Sequence, residues 1–162
     1  MKLIKAMLLA ATLAMSTGAF AWDSSESIAY TEALQQGDLA LVKKVLDSGV
    51  IGVDEKREFF GWTSLQIAAN KGQLAVVKEL IARKANINYQ HEMTKNSALH
   101  LAAMSGHKDV VKALAEAGAD VNLKMRGGVA LLRVVRDMGN TEMVELLTSL
   151  GAKDDGCQGE CF

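Results

Sequence analysis

The chain has 162 residues, of which 49% are hydrophobic, 23% charged and only 5% aromatic, and its formal net charge is −1. This balance excludes a disordered or collagen-like chain, and two cysteines are too few for a disulfide-rich scaffold. A charge near zero, without a block of lysine and arginine, also argues against a nucleic-acid-binding protein.

The N-terminal segment has the three-part layout of a secretory signal. Met1–Lys5 carries two lysines, residues 6–14 are apolar, and Ala19-Phe20-Ala21 is the small-x-small pattern that precedes cleavage. The alternative is a single-span anchor, but the apolar run is shorter than the ~18 residues that cross a bilayer. We therefore predict cleavage after Ala21, a short polar linker over 22–26, and no membrane insertion of the mature chain.

The remainder, from 27 to 153, repeats itself at intervals of 33 to 35 residues. Around each repeated glycine, two short segments have apolar residues at helical spacing. Helices this short are unstable alone, so neighbouring pairs are predicted to stack and share a core. The units are placed at about 27–57, 58–90, 91–123 and 124–153. The first marker falls at Gly37, Gly72, Gly106 and Gly139, and the second at Gly49, Lys84, Gly118 and Gly151.

Three phrases carry a family resemblance: TSLQIAA at 63–69, SALHLAA at 97–103 and AGADVN at 117–122. They resemble the T-P-L-H-x-A-A helix and the G-A-D-V-N loop of the ankyrin-repeat family. The resemblance implies an all-α solenoid of about four helix-turn-helix units with hairpin-like finger loops. The first and fourth units would be caps with a polar outer face, although the first could also be a full repeat.

The chain departs from the family pattern at several positions. The family's helix histidine is present only as His100, and Gln66 and Arg133 replace it elsewhere. Gln66 is expected to keep a hydrogen bond between units, whereas Arg133 puts that bond in doubt. Lys84 and Lys95 stand where glycine is usual, so those turns are expected to be strained or reshaped.

No motif in the chain indicates catalysis. Of the three histidines, His100 and His107 match structural positions of the family, and His91 is either a solvated loop residue or a partner contact. None has the spacing of a metal site, so no metal and no cofactor are predicted. Nucleophile and phosphate-binding phrases are also missing from the sequence. We therefore predict a protein that is not an enzyme.

Both cysteines, Cys157 and Cys161, lie in the C-terminal tail, 154–162. Outside the cytoplasm they are expected to form an intrachain disulfide, and the glycines between and before them allow the small ring to close. Such a bond constrains only the tail and adds little to the stability of the repeats. A redox-active dithiol, a soft-metal or haem contact, and a crosslink to another chain remain open.

The resemblance implies that fingers and inner helices line a concave groove that holds a protein partner. Aromatic side chains carry much of the binding energy in such interfaces, but Phe59, Phe60 and Trp62 could instead cover the core. The predicted contacts are Phe59, Phe60, Trp62, Tyr89, His91, Met93, Met125 and Arg126 in the fingers, and Asn70, Lys71, Met104 and Ser105 in the groove wall.

Three functions fit this interpretation. The first is a monomeric module that binds or stabilises a partner protein in the periplasm, a location favoured by the absence of an Asn-x-Ser/Thr acceptor. The second is an immunity protein that inhibits a toxin, which predicts a groove of one charge sign. The third is a redox or haem-handling factor that uses the tail cysteines.

Overall fold

The computed structural model describes residues 24–56 and 61–154. The predicted signal segment, Phe59, Phe60 and the tail with Cys157 and Cys161 lie outside these ranges. Within them, the chain forms eight α-helices in four consecutive pairs and one short 3-10 helix. The inner helices are α1 (Ser24–Gln36), α3 (Ser64–Asn70), α5 (Ala98–Met104) and α7 (Leu131–Asp137). The outer helices are α2 (Leu39–Asp47), α4 (Leu74–Ala82), α6 (Lys108–Glu116) and α8 (Thr141–Ser149), and the 3-10 helix is Arg126–Gly128.

The first inner helix is longer than the sequence predicts. Helix α1 begins at Ser24, so residues 24–26, which were assigned to the polar linker, are helical. Glu26 lies in the first turn of this helix, where a carboxylate interacts favourably with the positive end of the helix dipole. Polar residues at this point therefore start the helix and do not extend the linker.

The repeated glycines predict turns between paired helices, and these turns have the left-handed backbone that glycine adopts at the least cost. Between the helices of each pair, the φ values are +79° at Gly37, +72° at Gly72, +79° at Gly106 and +73° at Gly139. Lys84 and Lys95 keep the same turn geometry, with φ of +66° and +58°. These two turns are therefore strained and not reshaped, because a side chain makes this conformation costly.

The inner helices of the second and third units pack closely together. Ala68, Ala69, Ala102 and Ala103 are fully or almost fully buried, and their small side chains let α3 and α5 approach closely. The inner helices α3 and α5 contact each other more extensively than the outer helices α4 and α6 do. Tighter packing on the inner side favours a stack that curves toward that side, as the predicted groove requires.

One continuous hydrophobic core runs through all four pairs. It extends from Tyr30 and Leu34 in α1 to Met143 and Leu147 in α8. The predicted all-α repeat solenoid is thus confirmed, because each pair buries its apolar residues against its neighbours. None of the helices in the described ranges is both long and apolar enough to span a bilayer.

The loops that join the units are tied to one another by side chains. An aspartate or asparagine in each loop accepts a hydrogen bond from a backbone N–H of the next loop. Because these hydrogen bonds recur from unit to unit, they hold successive loops at a fixed distance from one another. The three bonds join Asn86 N to Asp54 Oδ1 at 2.8 Å, Asp120 N to Asn88 Oδ1 at 2.8 Å, and Lys153 N to Asn122 Oδ1 at 2.7 Å.

Candidate functional site

Two buried polar side chains hold the fingers in place. Gln66 in α3 donates from Nε2 to the Asn96 carbonyl at 2.8 Å. His100 in α5 joins Nε2 to the Leu123 carbonyl at 3.0 Å. Each side chain therefore connects its own helix to the finger that follows, and the hydrogen bond predicted for Gln66 is confirmed.

The same two side chains also close the starts of their helices. Thr63 precedes α3 and donates its backbone N–H to Gln66 Oε1 at 3.0 Å, while Ser97 precedes α5 and donates its N–H to His100 Nδ1 at 3.1 Å. The hydroxyl groups of Thr63 and Ser97 accept from the backbone N–H groups of Gln66 and His100 in return. Reciprocal bonds of this kind satisfy backbone donors that a helix start otherwise leaves unpaired.

The geometry fixes the protonation of His100. Its Nδ1 accepts the Ser97 N–H, so the proton resides on Nε2, which donates to Leu123. Burial lowers the pKa of the imidazole below its ordinary 6.5, and the Leu123 carbonyl opposes that shift only in part. His100 is consequently neutral at neutral pH and serves as a structural hydrogen-bonding group.

The start of the inner helix is built differently in the fourth unit. Helix α7 begins after Ala130, which provides no side-chain cap. Arg133, at the position of Gln66 and His100, is half-buried and lies 3.7 Å from the exposed Asp137 carboxylate. Arg133 thus has a contact within its own helix, which Gln66 and His100 do not show.

The second and third fingers are fastened together. Gln90 donates from Nε2 to the Lys95 carbonyl at 2.7 Å and to the Lys124 carbonyl at 2.8 Å. In addition, the Arg126 N–H donates to the Thr94 carbonyl at 3.1 Å. No sequence motif marks Gln90 as a finger contact, because its acceptors are backbone carbonyls of two separate loops. These bonds hold the tips of the two fingers in fixed positions.

The first and second fingers meet through charge. An isolated antiparallel bridge pairs Lys56 with Thr63 at the base of the first finger. The Lys56 ammonium forms an exposed ion pair with Glu92 and lies 5.6 Å from the centre of the Tyr89 ring. Hydrogen bonding within the pair raises the pKa of Lys56 and lowers that of Glu92. Because both groups are exposed, the pair positions the fingers and adds little stability.

Several predicted contacts are available at the surface of the fingers. Met93 is 70% exposed at the tip of the second finger, and Arg126 is exposed in the third. Met125 is half-buried beside Arg126. Trp62 and Tyr89 are also half-buried, and Trp62 packs against the core, which favours the interpretation that it partly covers the core.

His91 is not the solvated loop residue that the sequence suggested. It is only 9% exposed, and its Nδ1 accepts the Thr94 N–H at 3.3 Å. A side chain on Gly61 would come within 3.2 Å of His91 Nε2, so the glycine makes room for the ring. His91 therefore closes its own finger from within, and solvation was the wrong expectation.

The groove wall is built from the C-terminal ends of the inner helices. Ser105 donates from Oγ to Asn70 Oδ1 at 3.0 Å, which links two neighbouring units along the wall. Lys71 and Ser105 are exposed, while Asn70 and Met104 are half-buried. In the fourth unit, Met138 occupies the position of Lys71 and Ser105 and is 56% exposed. Helices α3, α5 and α7 thus present polar and thioether groups to solvent in register.

A surface depression lies near the C-terminal end of the described helices. It has a volume of about 250 Å³ and is lined by Arg136, Gly139, Thr141, Val144 and Glu145. It is smaller than the roughly 300–1,000 Å³ of ordinary ligand pockets, and it includes none of the predicted contacts. Over 24–56 and 61–154, no group of three or more His, Cys, Asp or Glu side chains is arranged to hold a metal ion.

Known proteins share this repeat. A family model described as "Ankyrin repeats (3 copies)" matches residues 31–125. The chain is 35% identical over 120 residues to ankyrin repeat and SAM domain-containing protein 6 of Rattus norvegicus, covering 73% of the chain and 13% of the relative. It is 34% identical over 116 residues to palmitoyltransferase AKR1 of Lachancea kluyveri, covering 71% and 16%. It is 30% identical over 122 residues to human transient receptor potential cation channel subfamily A member 1, covering 75% and 11%.

The chain spans less than a fifth of the length of these curated relatives. The shared part is therefore the repeat, and the different activities in the relatives' names are those of much longer proteins. Ankyrin repeats are generally non-enzymatic and mediate contacts between proteins. The family match and the four stacked helix pairs lead to one conclusion: this chain belongs to the ankyrin-repeat family and is a protein–protein interaction module.

Proposed function

We propose that this protein is exported to the periplasm, where it binds or stabilises a partner protein without catalysing a reaction. The predicted signal, with cleavage after Ala21, supports the location. The partner occupies the concave groove between the fingers and the C-terminal ends of the inner helices. A monomer suffices for this function, because one chain carries the whole groove.

The arrangement of the second and third fingers carries this proposal. Their backbones are fixed by the Gln90 and Arg126 hydrogen bonds, whereas the Met93 and Arg126 side chains remain exposed. A surface whose backbone is already ordered loses less entropy on binding, so a larger share of the contact energy becomes affinity. Exposed side chains on rigid loops are what a recognition surface requires.

The contacts fall into two groups. Met93, Met125 and Trp62 supply apolar area in the fingers, and methionine adapts its shape to a partner because its side chain is unbranched and polarisable. Asn70, Lys71 and Ser105 supply polar groups along the groove wall. His91 is removed from the set of direct contacts, since it acts inside its finger.

A capture experiment tests the proposal. The mature chain is used to recover proteins from periplasmic extract, and a Trp62→Ala, Met93→Ala double variant is compared with it. The control is Lys78→Ala, Lys112→Ala, which changes two exposed residues of the outer helices. The proposal requires a partner whose recovery falls for the finger variant and not for the control. Equal recovery by all three chains contradicts binding through the fingers.

Mass spectrometry of the purified periplasmic protein tests export and the state of the tail. The expected product begins at Trp22 and lacks two hydrogens, as an intrachain Cys157–Cys161 disulfide requires. A Cys157→Ser, Cys161→Ser variant is expected to bind the partner normally. Loss of binding in this variant would favour the redox or haem-handling alternative instead.

A further inference from the structure

We infer that the segment held in the groove is acidic as well as partly apolar. This inference rests on the proposed function and specifies the chemistry of its partner. Its basis is a set of exposed cations on the finger side of the second to fourth units. The set, called here the finger cations, consists of Lys71, Lys95, Lys124 and Arg126.

The finger cations lie on three successive elements of the concave side. Lys71 caps the C-terminal end of α3, Lys95 lies in the second finger, and Lys124 and Arg126 lie in the third. All four are exposed. None forms an ion pair with another residue of 24–56 or 61–154.

Acidic groups on the same elements do not balance these charges. Glu92 in the second finger is held by Lys56, and Asp137 at the end of α7 faces Arg133. Asp120 forms no ion pair within 24–56 and 61–154. It lies just after α6, where its carboxylate accepts the Asn122 backbone N–H at 2.8 Å. The tips of the second and third fingers therefore carry a local excess of positive charge.

The outer helices differ in this respect. There, cations and acids of neighbouring units pair across the stack: Lys43 with Glu79 at 3.2 Å, Arg83 with Asp47 at 2.6 Å, and Lys108 with Glu142. Lys78 and Lys112 are exposed without an ion pair, but α4 also carries Glu79, and α6 carries Asp109 and Glu116. Positive charge is thus balanced on the outer face and left unbalanced near the groove.

Apolar groups lie among the finger cations. Met93 precedes Lys95 in the second finger, and Met125 separates Lys124 from Arg126 in the third. A polypeptide that carries carboxylates beside leucine-like side chains would complement both kinds of group. Helices pack about 8–10 Å apart, so three units extend over about 16–20 Å. A helical segment of about 14 residues would span that distance.

An anionic lipid surface would also supply negative charge, but the shape of the site disfavours it. The site combines the end of an inner helix with two separate loops, whereas a bilayer is flat over this distance. A polypeptide can enter the groove and contact Lys71 and the fingers together. We therefore assign the site to an acidic protein segment.

A titration followed by NMR tests the inference. The probe is a helical peptide of about 18 residues with glutamates and leucines at amphipathic spacing, added to the isotope-labelled mature chain. Chemical-shift changes are expected at Lys71, Lys95, Lys124 and Arg126 and not along the outer helices. A peptide with lysine in place of every glutamate is expected to leave these signals unchanged, and added salt should weaken the acidic peptide's binding.

Charge reversal provides the matched control. Lys71→Glu, Lys124→Glu is expected to weaken peptide binding roughly tenfold, whereas Lys78→Glu, Lys112→Glu changes the net charge equally and should alter it less than about twofold. Circular dichroism checks that both variants are folded. Equal weakening by the two variants, or equal binding of the lysine peptide, overturns the inference.

Two further measurements separate the possible failures. Vesicles of anionic phosphatidylglycerol are expected not to bind; saturable binding that the Lys71→Glu, Lys124→Glu variant abolishes would overturn the acidic-segment assignment in favour of lipid. A captured partner that requires Trp62 and Met93 but tolerates Lys71→Glu, Lys124→Glu would also overturn it. In that last case the proposed function would stand.

Discussion

The third and fourth units each contain one helix pair, but the side chain at the same position of the inner helix makes different contacts in the two units. In the third unit, His100 is fully buried and joins the start of α5 to the Leu123 carbonyl of the next loop. In the fourth unit, Arg133 at the same position is partly exposed and pairs with Asp137. The internal unit is fixed by buried hydrogen bonds, and the terminal unit by apolar packing and exposed charge.

The reason for this difference is the neighbour. A buried polar side chain is stabilising only when its partners are present, and leaving it unpaired costs about 1–3 kcal/mol. The third unit is followed by a finger that offers the Leu123 carbonyl. In the fourth unit, Arg133 lies 3.7 Å from Asp137, and a long charged side chain can reach solvent from this position.

The largest effect on stability is expected when the His100 hydrogen bonds in the third unit are removed. His100→Ala removes a buried ring and leaves the Ser97 N–H and the Leu123 carbonyl without this partner, so we expect the free energy of unfolding to fall by about 2–4 kcal/mol. His100→Gln should cost clearly less, because Gln66 performs the same task in the second unit. Arg133→Ala should cost less than about 1 kcal/mol. Urea denaturation measures all three, and equal losses for His100→Ala and Arg133→Ala would contradict the comparison.

Turn glycines provide a second contrast between internal and terminal units. An added Cβ at Gly72 would meet the His107 ring at 2.6 Å, whereas at Gly139 no atom lies within 4 Å. The two φ values are nearly equal, +72° and +73°. Backbone strain should therefore lower the free energy of unfolding of both alanine variants by about 1–2 kcal/mol. Gly72→Ala should lose about 1–3 kcal/mol more through overpacking. Thermal unfolding measures the stability of the two variants. Equal losses of stability in Gly72→Ala and Gly139→Ala would contradict this expectation.

A smaller effect concerns the turn after each outer helix. Lys84 has φ of +66° in the second unit, and Gly151 has +86° at the equivalent place in the fourth. Lys84→Gly is expected to increase the free energy of unfolding by about 0.5–1 kcal/mol, because glycine adopts this conformation without strain. Gly151→Lys should decrease it by a similar amount. A loss of stability in Lys84→Gly would mean that the lysine side chain contributes more than its strain costs.

The smallest expected effect is the pH dependence of the stability that His100 contributes to the third unit. Since the folded pKa of His100 lies below 6.5, the unfolded chain takes up a proton before the folded chain does as the pH falls. The stability that His100 contributes is complete above pH 6.5 and decreases below it. The difference in unfolding free energy between the natural chain and His100→Gln should therefore shrink between pH 7.5 and pH 5. A difference that stays constant with pH would show that His100 does not titrate in this way.

Much of the fold follows from local patterns. The repeated glycines predicted the left-handed turns, and Thr63 and Ser97 stand at helix starts because a hydroxyl group can accept a backbone N–H there. The candidate site was less accessible from the sequence. The burial of His91 depends on the space left by Gly61, and the fastening of the fingers depends on two carbonyls that Gln90 reaches across loops.

The sequence by itself determined the repeat, the helix pairs and their order, because periodicity and caps act over a few residues. Only the tertiary structure decided which polar side chains are buried, which cations lack a partner and how the fingers are joined. These properties depend on contacts between residues about 30 positions apart, such as Gln90 with Lys124 and Arg126 with Thr94. No local pattern specifies such a contact, because the partner is a backbone atom that every residue carries.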